Sequence, residues 1–155
     1  MFEEFNQKIN YDELQKQIEG NKKTNREVTK GNYKVKLNKL EVGECGPKAS
    51  LPGAPILKAD FVIIDGEFRK FHLFENKVLY TDRTDDKWNM GKLIGGVLGW
   101  IETLDPSEEI EVAFENYNQF SDLVSEIFED VAELEYEIEY DPDGFYRIKI
   151  TDVIE

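Results

Sequence analysis

The chain holds one histidine, His72, and one cysteine, Cys45, and neither sits in a recognisable motif. Nucleophilic catalysis by a serine or cysteine with a histidine base therefore lacks its parts. No GxGxxG, GxxxxGK[ST], HExxH or CxxC run occurs. Gly91, Gly95, Gly96 and Gly99 do not follow a strand at the spacing a phosphate loop needs, and close packing of a helix accounts for them better. Asp82, Asp85 and Asp86 are near enough in sequence to ligate a divalent cation, but in so polar a loop they read as solvated. Asp141 to Gly144 lacks the remaining ligands of a calcium loop. The expectation is a protein that is not an enzyme, with no catalytic residues, no metal and no cofactor.

Another chemistry is better supplied. Read as a strand, residues 67–74 (EFRKFHLF) put Phe68, Lys70, His72 and Phe74 on one face and Arg69, Phe71 and Leu73 on the other. Lys34 and Lys36 occupy the polar face of a second alternating run. Cations for phosphates beside flat rings for bases suit a single nucleic-acid strand, where stacking contributes about 1–3 kcal/mol per base. The candidate nucleic-acid-binding set is Lys30, Lys34, Lys36, Lys58, Phe68, Lys70, His72 and Phe74. The competing reading puts Phe68 and Phe74 in the core and leaves the lysines to keep the sheet soluble.

Charge supports a segregated surface. Residues 1–92 carry 17 of the 19 basic side chains against 15 acids, while residues 93–155 carry 2 against 18, giving +2 and −16 within a total of −14. Residues 22–39 alone are +6. Nucleic acid is repelled by the chain as a whole, but potentials decay over about 8–10 Å at physiological salt, so a local basic face can still act.

The elements that must position these residues follow from periodicity. At 155 residues one main domain is expected. Ten Phe, seven Tyr and two Trp argue against disorder. A helix is expected over 10–19, with Asn10 and Glu13 as a capping box, Ile9 and Leu14 as the staple, and Gly20 as its stop. Residues 20–31 read as a linker or basic arm. Residues 33–38, 56–64 and 67–74 read as strands, with a hairpin at Asp65-Gly66. Residues 76–87 read as loop, 88–104 as a helix closed by Pro106, and 110–114 as a short strand. A helix capped by Asn116 and Gln119 follows. In the last hairpin, a type I turn over Asp141–Gly144 with Gly144 left-handed sets Glu135 against Lys149 and Glu137 against Arg147. The fold class is α+β, with an antiparallel sheet of five to six strands and two to three helices. It reads as an OB-like barrel or a curved sheet, with residues 1–31 as helix and arm and 32–155 as a single OB-like domain. The N-terminal MFEEFNQKIN has acids where a signal peptide needs positive charge, and Leu93 to Ile101 is too short to span a bilayer. A cytoplasmic protein without membrane contact is expected.

Several of these segments also carry a resemblance. Gly31-Asn32-Tyr33-Lys34-Val35-Lys36-Leu37 matches a G-x-Y-x-V-x-L strand. Pro55-Ile56-Leu57, Phe61, Ile63, Gly66-Glu67-Phe68-Arg69, Leu73-Phe74, Asn76 and Val78 match a second block. Asn116-Tyr117, Asp122-Leu123-Val124, Leu134 to Tyr140 and Gly144-Phe145 through Glu155 match a third, and Phe5 to Leu14 a lead segment. In these the chain resembles a family of bacteriophage single-stranded-DNA-binding proteins long catalogued as a domain of unknown function. It departs from that pattern in the glycine-rich 91–99 segment and in the Asp82–Asp86 loop. The resemblance implies an OB-like protein that coats single-stranded DNA in phage replication or recombination, in the host bacterial cytoplasm. Phage recombinases, helicases or primases are the implied partners, and the acidic C-terminal half could dock them. A homo-oligomer is compatible with this reading. A second function from another class fits the −16 half: an acidic interaction module, or DNA mimic, that occupies a basic groove on a host protein.

Overall fold

Alternation in the sequence becomes a five-stranded antiparallel sheet of order β3-β2-β1-β4-β5. In this computed structural model the backbone is described for residues 2–25 and 27–154, and side chains for 2–18 and 27–154. The elements run α1 (Glu3–Gln7), α2 (Tyr11–Asn25), β1 (Gly31–Glu44), β2 (Pro55–Ile63), β3 (His72–Val78), α3 (Met90–Glu102), α4 (Tyr117–Val131), β4 (Glu135–Tyr140) and β5 (Ile148–Ile154). The class is α+β, and the sheet is not closed by strand pairing.

Strand β1 organises the rest. It pairs with β2 from Val35 to Glu44 and with β4 from Gly31 to Lys36. Its register with β2 skips between Leu37 and Lys39, which makes Asn38 the extra residue of a bulge. The skip resets the period of two, so that Leu40 points inward three residues after Leu37. Without it Lys39 would face the core. Inward-facing Val35, Leu37, Leu57, Phe61, Ile63, Tyr136 and Ile138 are nearly solvent-free. Against them α3 buries Ile94, Val97, Trp100 and Ile101, and α4 buries Phe120, Leu123, Val124, Ile127 and Val131. Buried polar tips are satisfied: Tyr136 Oη donates to Leu104 O (2.6 Å) and Trp100 Nε1 to Ile148 O (2.9 Å). Asn10, Asn89 and Asn116 each accept an amide from the first turn of α2, α3 and α4.

The structure corrects several expectations. Helix α2 does not stop at Gly20 but continues to Asn25, so the first half of the expected arm is helical, and residue 26 lies outside the described residues. Four helices are present among the described residues, not two to three, and 110–114 forms no strand.

Strand β3 begins at His72, not Glu67. Residues 64–71 make a wide turn with left-handed Gly66 (φ 80°) and Lys70 (φ 75°), closed by Lys70 N to Ile63 O (2.8 Å) and Ile63 N to Phe71 O (2.9 Å). The cause is Phe68, whose ring packs edge-on against Tyr33 and Phe71 instead of entering a strand.

The last hairpin is also wider than expected. Glu139 pairs with Lys149 and Ile138 with Ile150, while Glu137 meets Asp152. Gly144 is not left-handed; among the described residues the left-handed glycines are Gly53 and Gly66. Residues 141–147 form the loop because Tyr146 leaves the strand and drops towards α3. A Cβ at Gly96 would lie 2.7 Å from the Tyr146 hydroxyl, which explains this helical glycine. Gly95 and Gly99 face open space, so close packing does not explain them.

Candidate nucleic-acid interface

The bulge at Asn38 turns a side chain towards β2, and from there a polar chain crosses three strands on the outward face of the sheet. Asn38 Nδ2 donates to Asp60 Oδ2 (2.9 Å), and His72 Nδ1 donates to Asp60 Oδ1 (2.7 Å). The His72 ring then stacks on Phe74, with centroids 6.1 Å apart and planes 15° from parallel. Phe74 is 56% exposed, a large apolar area to leave facing outward. It stays outside because β3 inverts the usual alternation: His72, Phe74, Asn76 and Val78 face out, while Glu75 and Lys77 face in.

Those inward charges are 3% and 5% exposed and paired at 2.7 Å. Lys77 Nζ also sits 3.4 Å from the Tyr146 ring centroid and 4.5 Å from that of Trp100. Burial pushes the Lys77 pKa down, against the opposing pull of Glu75. Burial, reinforced by Glu75, pushes the Tyr146 hydroxyl up. Both Glu75 oxygens accept the Arg147 amide (3.1 and 2.9 Å). Glu75 lies on one edge strand and Arg147 directly precedes the other. A side chain thus ties the two edges of the curved sheet where no backbone ladder does.

Two depressions meet at Asn76. One, of about 460 Å³, is lined by Lys39, Glu41, Lys58, Asp60, Phe74 and Asn76. The other, of about 310 Å³, has Tyr80, Trp88, Phe145 and Tyr146 among its walls, with Lys77 at its base. Trp88 and Phe145 meet edge-to-face at 5.9 Å, and Phe145 is 79% exposed. Trp88 is positioned by Asp85, whose Oδ1 accepts the amides of Lys87 (3.0 Å) and Trp88 (2.8 Å). The Trp88 amide, aided by the Arg83 side chain, holds the Asp85 carboxyl below its usual range. This role gives the Asp82–Asp86 loop a structural purpose. Among the described residues no three His, Cys, Asp or Glu side chains gather to hold a metal ion.

The eight sequence candidates are not all brought together. His72 and Phe74 stack, and Lys58 lines the same depression as Phe74. Lys34 and Lys36 face outward from the centre of the sheet but lie across from Glu137 and Glu135 on β4. Lys30 is 3.6 Å from Asp141. Phe68 is half-buried at the other end of the sheet, and Lys70 stands exposed in the wide turn. Phe68 and Lys70 therefore do not share a strand face with His72 and Phe74. The carboxylates are not all turned away, since Glu135, Glu137 and Glu139 share the outward face with the lysines. Sequence reasoning passed over Asn38, Asp60, Tyr80, Trp88 and Phe145. An aromatic residue alone in a polar run, as Trp88 is, was the available signal.

No protein-family model, curated protein or solved structure matches this chain. No helix among the described residues is long and apolar enough to cross a membrane.

Proposed function

We propose that the protein binds single-stranded nucleic acid along the β3 edge, with no strong preference for sequence. The observation that carries this is a set of accessible rings: Phe74 in one depression and Tyr80, Trp88 and Phe145 in a second that shares Asn76 with it, with His72 stacked on Phe74 beside the first. Every base has a face to stack, so such a set is sequence-tolerant. Lys39 and Lys58 stand beside the first depression, and Lys87 and Lys92 neighbour Trp88 in sequence. Glutamates on β4 flank the lysines of β1 and disfavour a strand laid across the middle of the sheet, which directs binding to the β3 side. The curved sheet, tied edge to edge through Glu75, supports an OB-like description. The sequence resemblance favours DNA over RNA and a phage replication or recombination role, with a recombinase, helicase or primase as protein partner.

Fluorescence anisotropy of a labelled oligo-dT at two salt concentrations tests the reading. Binding should weaken steeply with salt as counterions are released. Absence of binding at low salt would remove it, and a tight complex with a basic protein in its place would favour the acidic-module alternative.

A further inference from the structure

Helices α1 and α2 carry apolar side chains that the rest of the chain leaves uncovered. Phe2 and Phe5 are 66% and 64% exposed, and Ile9, Tyr11 and Ile18 lie between 38% and 46%. Among residues 2–18 no apolar side chain belongs to the core or packs against it. At these exposures the three rings alone offer about 350 Å² of apolar surface. Apolar area of that extent on one chain commonly marks an interaction site. Tyr11 Oη donates to Asn6 Oδ1 (2.7 Å), which ties α1 to the start of α2. Within α2, Tyr11, Leu14 and Ile18 recur at spacings of three and four, the seam that packs into a partner helix.

Helix α2 also has little reason to persist alone. It runs for 15 residues and passes through Gly20, Asn21, Thr24 and Asn25, all weak helix formers. An isolated helix of about 12–15 residues is marginal in water, and helices in proteins depend on packing an apolar face. Among the described residues the sheet and the later helices do not supply that packing.

Charge indicates what does. Residues 1–25 carry five acids and four bases, a net of −1, whereas residues 26–155 hold the remaining −13. Two copies can therefore meet through this segment without pressing their acidic halves together. The charges of α2 are also ordered along it. Asp12 and Glu13 stand in its first turn, and Lys22 and Lys23 come towards its other end. Laid antiparallel, two such helices set the acids of one beside the lysines of the other and oppose their dipoles. A parallel pair would set like charge beside like.

We propose that α2 pairs antiparallel with α2 of a second copy of this chain, burying Tyr11, Leu14 and Ile18 across a two-fold axis. The surface is its own complement, as a two-fold interface requires. The rings of α1, held beside the start of α2, extend the apolar contact. The interface uses none of the rings or lysines assigned to nucleic acid, so it stands or falls apart from that reading.

The test is sedimentation equilibrium of the full chain, without nucleic acid, from about 1 to 200 µM. The parent should form a reversible dimer. Ile18→Glu should raise its dissociation constant about tenfold or more, because each copy then places a charge in the seam. Lys16→Gln shifts the net charge by the same amount from the opposite side of α2 and should change it by less than about threefold. If Ile18→Glu fails to fold, Leu14→Glu takes its place under the same criteria. Zero-length carbodiimide coupling of the dimer should join Asp12 or Glu13 to Lys22 or Lys23. Within one helix Asp12 and Lys22 are about 15 Å apart along the axis, so that product forms only between copies. A chain that stays monomeric at about 200 µM, a dimer indifferent to Ile18→Glu, or a dimer that yields no such product would overturn the proposal. A monomer that instead sediments with phosphatidylglycerol vesicles, and loses them on Ile18→Glu, would assign the stripe to a lipid surface and overturn it too.

Discussion

Replacing Lys77 by methionine would leave Glu75 in the protein interior with its counter-charge gone. Glu75 is 3% exposed and takes its strongest neighbour, the Lys77 ammonium, at 2.7 Å. Removing one partner of a buried ion pair typically costs about 3–5 kcal/mol. Here the Arg147 amide remains on both carboxylate oxygens and offsets part of the loss, so a cost near 3 kcal/mol is expected. For a domain of this size that lowers Tm by about 6–12 °C. Glu75→Gln should also destabilise, by stranding Lys77 against the Trp100 and Tyr146 rings. The sign of its pH dependence follows from Lys77. The folded pKa of Lys77 is depressed, so the unfolded chain binds the proton more readily and stability rises with pH through the window below the ordinary lysine value. Losing Glu75 depresses it further, so the Glu75→Gln penalty should shrink as pH rises. The double variant Glu75→Gln/Lys77→Met keeps an acceptor for the Arg147 amide and buries no charge. It should recover to within about 1 kcal/mol of the parent. Chemical denaturation of the four proteins measures the cycle. A Lys77→Met cost below about 1 kcal/mol, or a double variant as weak as the sum of the singles, would refute the reasoning.

Four further outcomes are expected. Phe74→Ala and Trp88→Ala should each weaken oligo-dT binding by about 1–3 kcal/mol. Phe74→Ala should leave the thermal midpoint nearly unchanged, since Phe74 stands on the surface, and a cooperative loss of folding there would mean that the ring is core. Lys58→Glu should weaken binding to all sequences alike and lower the slope of log K against log salt, whereas an unchanged slope would place Lys58 away from the phosphates. Gly95→Ala and Gly99→Ala should stabilise the chain by about 0.5–1 kcal/mol each, and Gly96→Ala should destabilise it through the Tyr146 hydroxyl, all read by thermal melting. The folded pKa of Asp130 is raised, so its contribution is present below the unfolded value and lost as pH rises through the folded one. Asp130→Asn should therefore melt higher than the parent at neutral pH, with the difference shrinking on acidification, and a constant difference would contradict the pairing with Asp105.

The sequence made some of this legible and hid the rest for identifiable reasons. Strand β2, helices α3 and α4 and the alternation of β4 are plain because their apolar residues recur at one unbroken period. Strand β1 extends past Asn38 because a bulge changes the phase, and a fixed-period reading stops there. Strand β3 is obscured because its core-facing residues include the charged Glu75 and Lys77, while an aromatic faces water. The width of the last hairpin depends on where Tyr146 packs, which is a tertiary fact about α3. Within the site, the shared face of His72 and Phe74 follows from parity alone. Trp88 and Phe145 come together only through the fold, being more than fifty residues apart in sequence. Asp105 carries no sequence signal that separates it from the surrounding acids, because its burial is set by the fold.

The double role of β1 bears on how the chain reaches this structure. Its contacts with β2, and those of β2 with β3, join residues within one stretch from Val35 to Val78. Its pairing with β4 joins Lys34 to Glu137, roughly a hundred positions away. Closing so long a segment is entropically slow compared with assembling a local meander. The N-terminal three strands should therefore acquire protection first, with the glutamate-bearing strand zipping onto a preformed edge. Pulse-labelled hydrogen exchange would resolve the two phases, and simultaneous protection of Val35–Val78 and Glu135–Tyr140 would show that the sheet condenses in a single step.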